Sequence, residues 1–87
     1  MYKIVYEKRV FKDLTKVPDA DIRKIIEVFK ELPFNPIPNG AKKLSGKIGL
    51  YRIRRGDYRI IYTIGHSKKE IRIIMVGNRK EVYRTLK

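Results

Sequence analysis

Arg52, Arg54 and Arg59 stand on either side of a Gly56-Asp57 pair. A two-residue loop that begins with Gly suits a type II′ hairpin turn, whose twist matches that of the strands it joins. In that register Arg55 faces Tyr58, Arg54 faces Arg59 and Arg52 faces Ile61, so Arg52, Arg54 and Arg59 share one face of the ladder. Opposing like charges across a ladder costs about a few tenths of a kcal/mol. An anionic ligand offsets that cost, because a guanidinium fork matches a phosphate and holds it through paired, charge-assisted hydrogen bonds. The plainer alternative is that these long side chains fan into solvent and shield the sheet.

Gly77-Asn78-Arg79 leaves the next apolar run directly. Pairing Ile64 with Ile71 across the second hairpin places Ile71, Ile73 and Met75 on the face opposite the arginines. It places Val76 on the arginine face beside Arg59, which brings Arg79 and Tyr83 within reach of the same surface. Singly, each is ordinary: an Arg after a strand is commonly solvated, and a Tyr near a C-terminus often packs over a core. Grouped, they form a phosphate-sized cluster.

The elements that must position these groups follow from periodicity. Tyr2 to Tyr6 alternates as a strand, with Tyr2, Ile4 and Tyr6 on one face. From Lys8 to Val17 the apolar residues Val10, Phe11, Leu14 and Val17 recur at helical steps, and Pro18 ends that helix. Asp19 is the expected cap of a second helix, with Asp21 in its first turn and Ile22, Ile25, Ile26, Phe29 and Leu32 as its buried stripe. Pro33 to Gly40 holds three prolines and a glycine and reads as a connecting loop, continued as basic loop by Ala41 to Lys47. Leu50 to Arg55, Tyr58 to Ile64 and Ile71 to Val76 then read as three adjacent antiparallel strands. Asn78 to Leu86 reads as a short C-terminal tail or helix, with neither form singled out by its pattern. The expected fold is one small α+β domain, residues 1–87. An N-terminal strand, a helical hairpin and a three-stranded meander form one sheet with the helices on one face.

Composition bounds the function. The 87 residues carry 22 Lys plus Arg against 9 Asp plus Glu, a formal charge of +13, which is tolerable mainly where polyanions are the normal partners. The apolar share of 43% suffices for a packed core and is too high for a disordered basic tail. So short a chain has little room for both a core and a large cofactor pocket. There is no cysteine and only one histidine, His66, which excludes disulfides, thiolate zinc sites, cysteine nucleophiles and cages of several imidazoles. No apolar stretch approaches the roughly 18 residues of a membrane span, and Met1 to Glu7 is not a secretory signal. A soluble cytoplasmic protein is expected.

Four segments resemble the RelE/ParE toxin superfamily, and within it the RelE-type ribosome-dependent mRNA endonucleases. They are Lys43-Leu44-Ser45-Gly46, Leu50-Tyr51-Arg52-Ile53-Arg54, Gly56-Asp57-Tyr58-Arg59-Ile60-Ile61-Tyr62 and Val76-Gly77-Asn78-Arg79-Lys80-Glu81-Val82-Tyr83. Each motif alone is weak; their order and spacing are specific. In position, Arg52, Arg54, Arg59, Arg79 and Tyr83 look like the family's active surface. The first two are often lysines there, and arginine keeps the charge with a different hydrogen-bond geometry. Some relatives use a Glu and His pair, but His66 lies in a hairpin loop at the wrong place for it.

The resemblance implies a type II toxin that cleaves mRNA in the ribosomal A site. The RNA's own 2′-hydroxyl attacks the adjacent phosphate, without a metal or other cofactor. Tyr83 is then the base, Arg52, Arg54 and Arg59 hold the phosphate, and Arg79 assists the departing 5′-oxygen through its charge, since arginine stays protonated. The implied partners are a RelB-like antitoxin and the ribosome with its mRNA and rRNA, which Arg23, Lys24 and Lys30 are candidates to touch. DNA would be contacted only through the antitoxin. Two rivals stand beside this reading: a ParE-like inhibitor of DNA gyrase, and a noncatalytic RNA- or ribosome-binding module.

Overall fold

The computed structural model describes residues 1–44 and 49–86. Of the stretch expected to continue as loop, Ser45, Gly46 and Lys47 lie outside the described residues, as do the last two positions of the Lys43-Leu44-Ser45-Gly46 motif. The chain runs β1 (Lys3–Tyr6), α1 (Lys8–Leu14), α2 (Asp19–Glu31), β2 (Ala41–Lys43), β3 (Leu50–Arg55), β4 (Tyr58–Gly65), β5 (Glu70–Asn78) and α3 (Arg79–Leu86). The strands form one sheet in the order β1-β5-β4-β3-β2, with β1 parallel to β5 and the other neighbours antiparallel. This is the expected α+β class.

α1 and α2 lie on one face. Val10, Val17, Ile25, Val28, Phe29 and Leu32 meet Ile53, Ile60, Tyr62, Ile64, Ile71, Ile73 and Val76 there in the main core. α1 stops at Leu14, short of the expected Val17. Thr15, Lys16 and Val17 donate their N–H groups to carbonyls three residues back, tightening the chain before Pro18 while still burying Val17. Phe11, expected in the core, is 62% exposed and touches only the rim, with its ring 5.9 Å from that of Tyr6. The inward stripe is Val10, Asp13, Leu14 and Val17, and Phe11 falls one step off it.

At α2 the cap is Pro18 rather than Asp19. The Pro18 carbonyl receives the N–H groups of Asp21 and Ile22 at 3.0 Å, and no side chain caps the helix. Asp19 and Asp21 both sit in the first turn, where negative charge favours the helix dipole. The loop that follows is pinned from the core by the Tyr62 hydroxyl, which donates to the Pro36 carbonyl at 2.8 Å.

Two features of the sheet depart from expectation. Ala41–Lys43 is a fifth, edge strand, paired through Ala41 to Ile53, Lys42 to Arg52 and Lys43 to Tyr51. Short, lysine-bearing edges deter further pairing, and the same composition makes them read as loop. β5 also carries a bulge: Ile61 pairs with Met75 but Tyr62 with Ile73, so Ile74 is an extra residue. One inserted residue exchanges the faces of everything beyond it. Met75 therefore joins Ile61 on the arginine face, Val76 opposes Ile60 in the main core, and Gly77 takes the place opposite Arg59.

α3 packs on the arginine face, opposite the other two helices. Val82 is buried there with Ile61 and Met75, flanked by the half-buried Leu44, Leu50, Ile74 and Leu86.

Candidate active site

The β3–β4 hairpin has the register expected from its loop: Arg55 faces Tyr58, Arg54 faces Arg59 and Arg52 faces Ile61. Gly56 adopts φ +59°, the left-handed conformation that the first loop position of a type II′ turn requires. Two rows consequently cross the sheet on one face. One is Lys42, Arg52, Ile61 and Met75; the other is Arg54, Arg59 and Gly77. The second row ends in a residue with no side chain, and α3 occupies the space. A Cβ on Gly77 would lie 3.2 Å from the Glu81 Cβ and 3.6 Å from Val82 Cγ2.

α3 begins with a reciprocal cap. The Asn78 Oδ1 accepts the Glu81 N–H at 2.9 Å, and Glu81 Oε1 accepts the Asn78 N–H at 3.1 Å. This arrangement satisfies two otherwise orphaned backbone donors and fixes the turn at which the chain leaves β5. Arg79, Tyr83 and Leu86 then fall on one side of the helix at steps of four and three residues, facing the sheet-borne arginines, while Val82 anchors it.

The result is a cleft of about 550 Å³ between α3 and the sheet, lined by Leu44, Arg52, Arg54, Arg59, Ile61, Arg79, Val82, Tyr83 and Leu86. The five residues expected at the active surface, Arg52, Arg54, Arg59, Arg79 and Tyr83, are all on its wall, whereas Arg23, Lys24 and Lys30 lie on α2, across the sheet. The route differs from the expected one: Val76 does not lie beside Arg59, and it is the glycine at position 77 that lets the helix carrying Arg79 and Tyr83 close over the sheet. The aliphatic side, Leu44, Ile61, Val82 and Leu86, was not anticipated. Its signal was partly present, since the hairpin register already put Ile61 opposite Arg52.

The electrostatics are one-sided. Partial burial, then the charges of Arg54, Arg52 and Arg79 in that order, hold the Arg59 guanidinium below the usual arginine range; it remains a cation at the centre of the group. Among the described residues, the ion pairs are Arg9 with Asp13 and Arg72 with Glu7 and Glu70, so none involves a cleft arginine. Arg52 Nε is buried and has no hydrogen-bond partner among them. Buried donors are normally satisfied. A cluster of cations with no carboxylate on its wall and an unspent donor has the chemistry to receive an anion. Tyr83 is 63% exposed at the cleft wall. His66 is elsewhere, sharing a 2.9 Å hydrogen bond through Nδ1 with the Tyr2 hydroxyl. No three His, Cys, Asp or Glu side chains gather as metal ligands among the described residues.

Together these features define a small α+β protein with an arginine-lined cleft roofed by its last helix. The chain belongs to the RelE/ParE superfamily of type II toxins: the family described as ParE toxin of type II toxin-antitoxin system, parDE, matches residues 4–83. It is 30% identical over 88 residues to the toxin RelE of Mycobacterium tuberculosis, covering 95% of this chain and 87% of that one. The archaeal RelE–RelB complex of Pyrococcus horikoshii OT3 superimposes with a TM-score of 0.80 at 35% identity, covering 90% of this chain and 94% of that one. The RelB–RelE complex of Methanococcus jannaschii gives 0.81 at 28% identity, with 95% and 99% covered. Among the described residues, no helix is long and apolar enough to cross a membrane.

Proposed function

We propose that this toxin is a ribosome-dependent endoribonuclease that cuts mRNA in the A site. The observation that carries the proposal is the convergence of Arg52, Arg54, Arg59, Arg79 and Tyr83 on one cleft, with no counter-charge among the described residues. The 2′-oxygen forms a bond to the adjacent phosphorus and the bond from phosphorus to the 5′-oxygen breaks, leaving a 2′,3′-cyclic phosphate. Tyr83 takes the 2′-hydroxyl proton. Arg52, Arg54 and Arg59 bind the non-bridging oxygens, where each preorganised donor is worth on the order of 100- to 1000-fold in rate. Arg79, at the first turn of α3, stabilises the departing oxygen, which is then protonated from solvent. No step calls for a metal.

An open cleft of this kind holds a phosphate but does little to align a flexible strand for in-line attack. A ribosome that presents the message in a fixed, distorted form would supply the missing orientation. The partner we assign is a RelB-like antitoxin, in keeping with the RelE–RelB complexes that share this fold. Its acidic or amphipathic segment would cover the cationic face, and any operator DNA would be contacted through it. Action in the cytoplasm follows from the proposed substrate.

The matching family carries the name ParE, whereas the toxin and complexes compared above are RelE. The presence of Tyr83 among the arginines favours the nuclease, since neither gyrase binding nor passive RNA binding assigns a phenol to that position. Mapping transcript ends and gyrase-linked DNA breaks in the same induced cells decides between them. The nuclease reading expects ribosome-phased transcript ends that vanish with Tyr83→Phe; gyrase-linked breaks with intact transcripts would overturn it.

A further inference from the structure

Asp13 is the one buried charged side chain among the described residues, and the chemistry above makes no use of it. It lies on α1, on the far side of the sheet from the cleft. β1 pairs with β5 only from Glu70 to Ile73, and the Glu7 N–H closes that ladder on the Ile73 carbonyl at 2.9 Å. β5 continues to Asn78, so its last residues, from Ile74 onward, run without a strand on that side. Asp13 fills the gap: its Oδ2 accepts the Val76 N–H at 3.0 Å.

The contact stands three residues before Arg79, next to Gly77 opposite Arg59 and to the Asn78 cap. Arg9, one turn earlier on α1, donates to both Asp13 oxygens at 3.3 and 3.4 Å. Its side chain also lines a hollow of about 310 Å³ with Glu81, Arg84 and Thr85 of α3. The Arg9–Asp13 pair thus lies along the open edge of β5, with Arg9 facing the helix in front of the sheet across that hollow.

We propose that Asp13 is a positioning residue, which by holding the Val76 amide sets the exit of β5 and hence the placement of Arg79 and Tyr83 over Arg52, Arg54 and Arg59. The proposal rests on the nuclease reading for its kinetic consequence but not for its structural one. Without the carboxylate, the end of β5 has an unpaired buried donor on one side and only β4 on the other. α3, attached through Val82, the half-buried Leu86 and a single capping turn, then drifts relative to the sheet. A misplacement of about 1 Å in a catalytic group can cost on the order of 100-fold in rate.

The test compares Asp13→Asn, which keeps an oxygen acceptor and discards the charge, with Asp13→Ala, which discards both. Single-turnover cleavage on programmed ribosomes and amide exchange are measured on each. In Asp13→Ala the cleavage rate constant should fall on the order of 10- to 100-fold with the half-saturating ribosome concentration changed by less than about twofold. Amides of residues 79–86 should exchange faster while those of Ile25, Val28 and Phe29 in α2 stay protected. Asp13→Asn should restore the rate to within about threefold of the parent and restore α3 protection. Unchanged α3 exchange in Asp13→Ala, or a uniform loss of protection that includes α2, overturns the proposal. Should the parent protein cleave nothing, the exchange pattern alone still decides it, and the failure belongs to the nuclease reading.

Discussion

Replacing Arg52 by Met should make the free protein more stable and less active. Arg52 Nε is buried without a partner among the described residues, and leaving such a donor unmade costs about 1 to 3 kcal/mol. The Arg52 charge also bears on Arg59 in the same cleft, but both residues are only partly buried, so solvent reduces that repulsion to about a few tenths of a kcal/mol. Met keeps an unbranched stem of similar length against Ile61 and removes both penalties. The net gain is therefore about 1 to 3 kcal/mol. In a domain of this size each kcal/mol moves the midpoint of thermal unfolding by about 4 to 8 °C, so a rise of roughly 4 to 24 °C is expected. Thermal melts of the free toxin at low and high salt separate the contributions, because salt screens the repulsion and leaves the unpaired donor unaffected. Cleavage should meanwhile fall on the order of 100- to 1000-fold. A variant that melts below the parent at both salt concentrations would refute this reasoning, for it would mean that the guanidinium is held by the fold rather than kept vacant for a ligand.

Other substitutions probe the roof of the cleft and the scaffold. Gly77→Val places branched carbons where a Cβ alone already comes within 3.2 Å of Glu81. It should cost about 1 to 3 kcal/mol and speed amide exchange across α3 while β3 and β4 stay protected. Asn78→Ala removes half of the reciprocal cap and should lower stability by about 1 kcal/mol, with circular dichroism reporting a small loss of helix. Tyr62→Phe deletes the hydrogen bond to the Pro36 carbonyl, on the face of the sheet opposite the arginines. Urea titration should show a loss of about 0.5 to 1.5 kcal/mol, and cleavage should be unchanged.

The hairpin that gathers three arginines was legible because a two-residue loop opening with Gly leaves one economical register, and alternation then decides each face. The second hairpin was not legible to the same depth. Ile71 to Val76 is apolar at all but one position, so the pattern places no penalty on an extra residue, and the bulge at Ile74 exchanged Met75 and Val76 between faces. β2 escaped because Lys42 and Lys43 suit an exposed edge as well as a loop. α3 does carry a sequence signal: Asn78 followed three residues later by Glu81 is a capping pair that marks a helix start, independent of Arg79 and Tyr83. Asp13 gave no sign, since its role depends on where β1 ends against β5, a tertiary fact.

The most direct trial of the central claim is to incubate the purified toxin with ribosomes programmed with a defined message and to analyse the new RNA ends. The arginine and phenol site predicts a single cut in the A-site codon whose upstream fragment ends in a 2′,3′-cyclic phosphate, with Tyr83→Phe slowed on the order of 100-fold or more. An upstream fragment ending in a free 3′-hydroxyl, or a Tyr83→Phe variant that cuts at the parental rate, would contradict it.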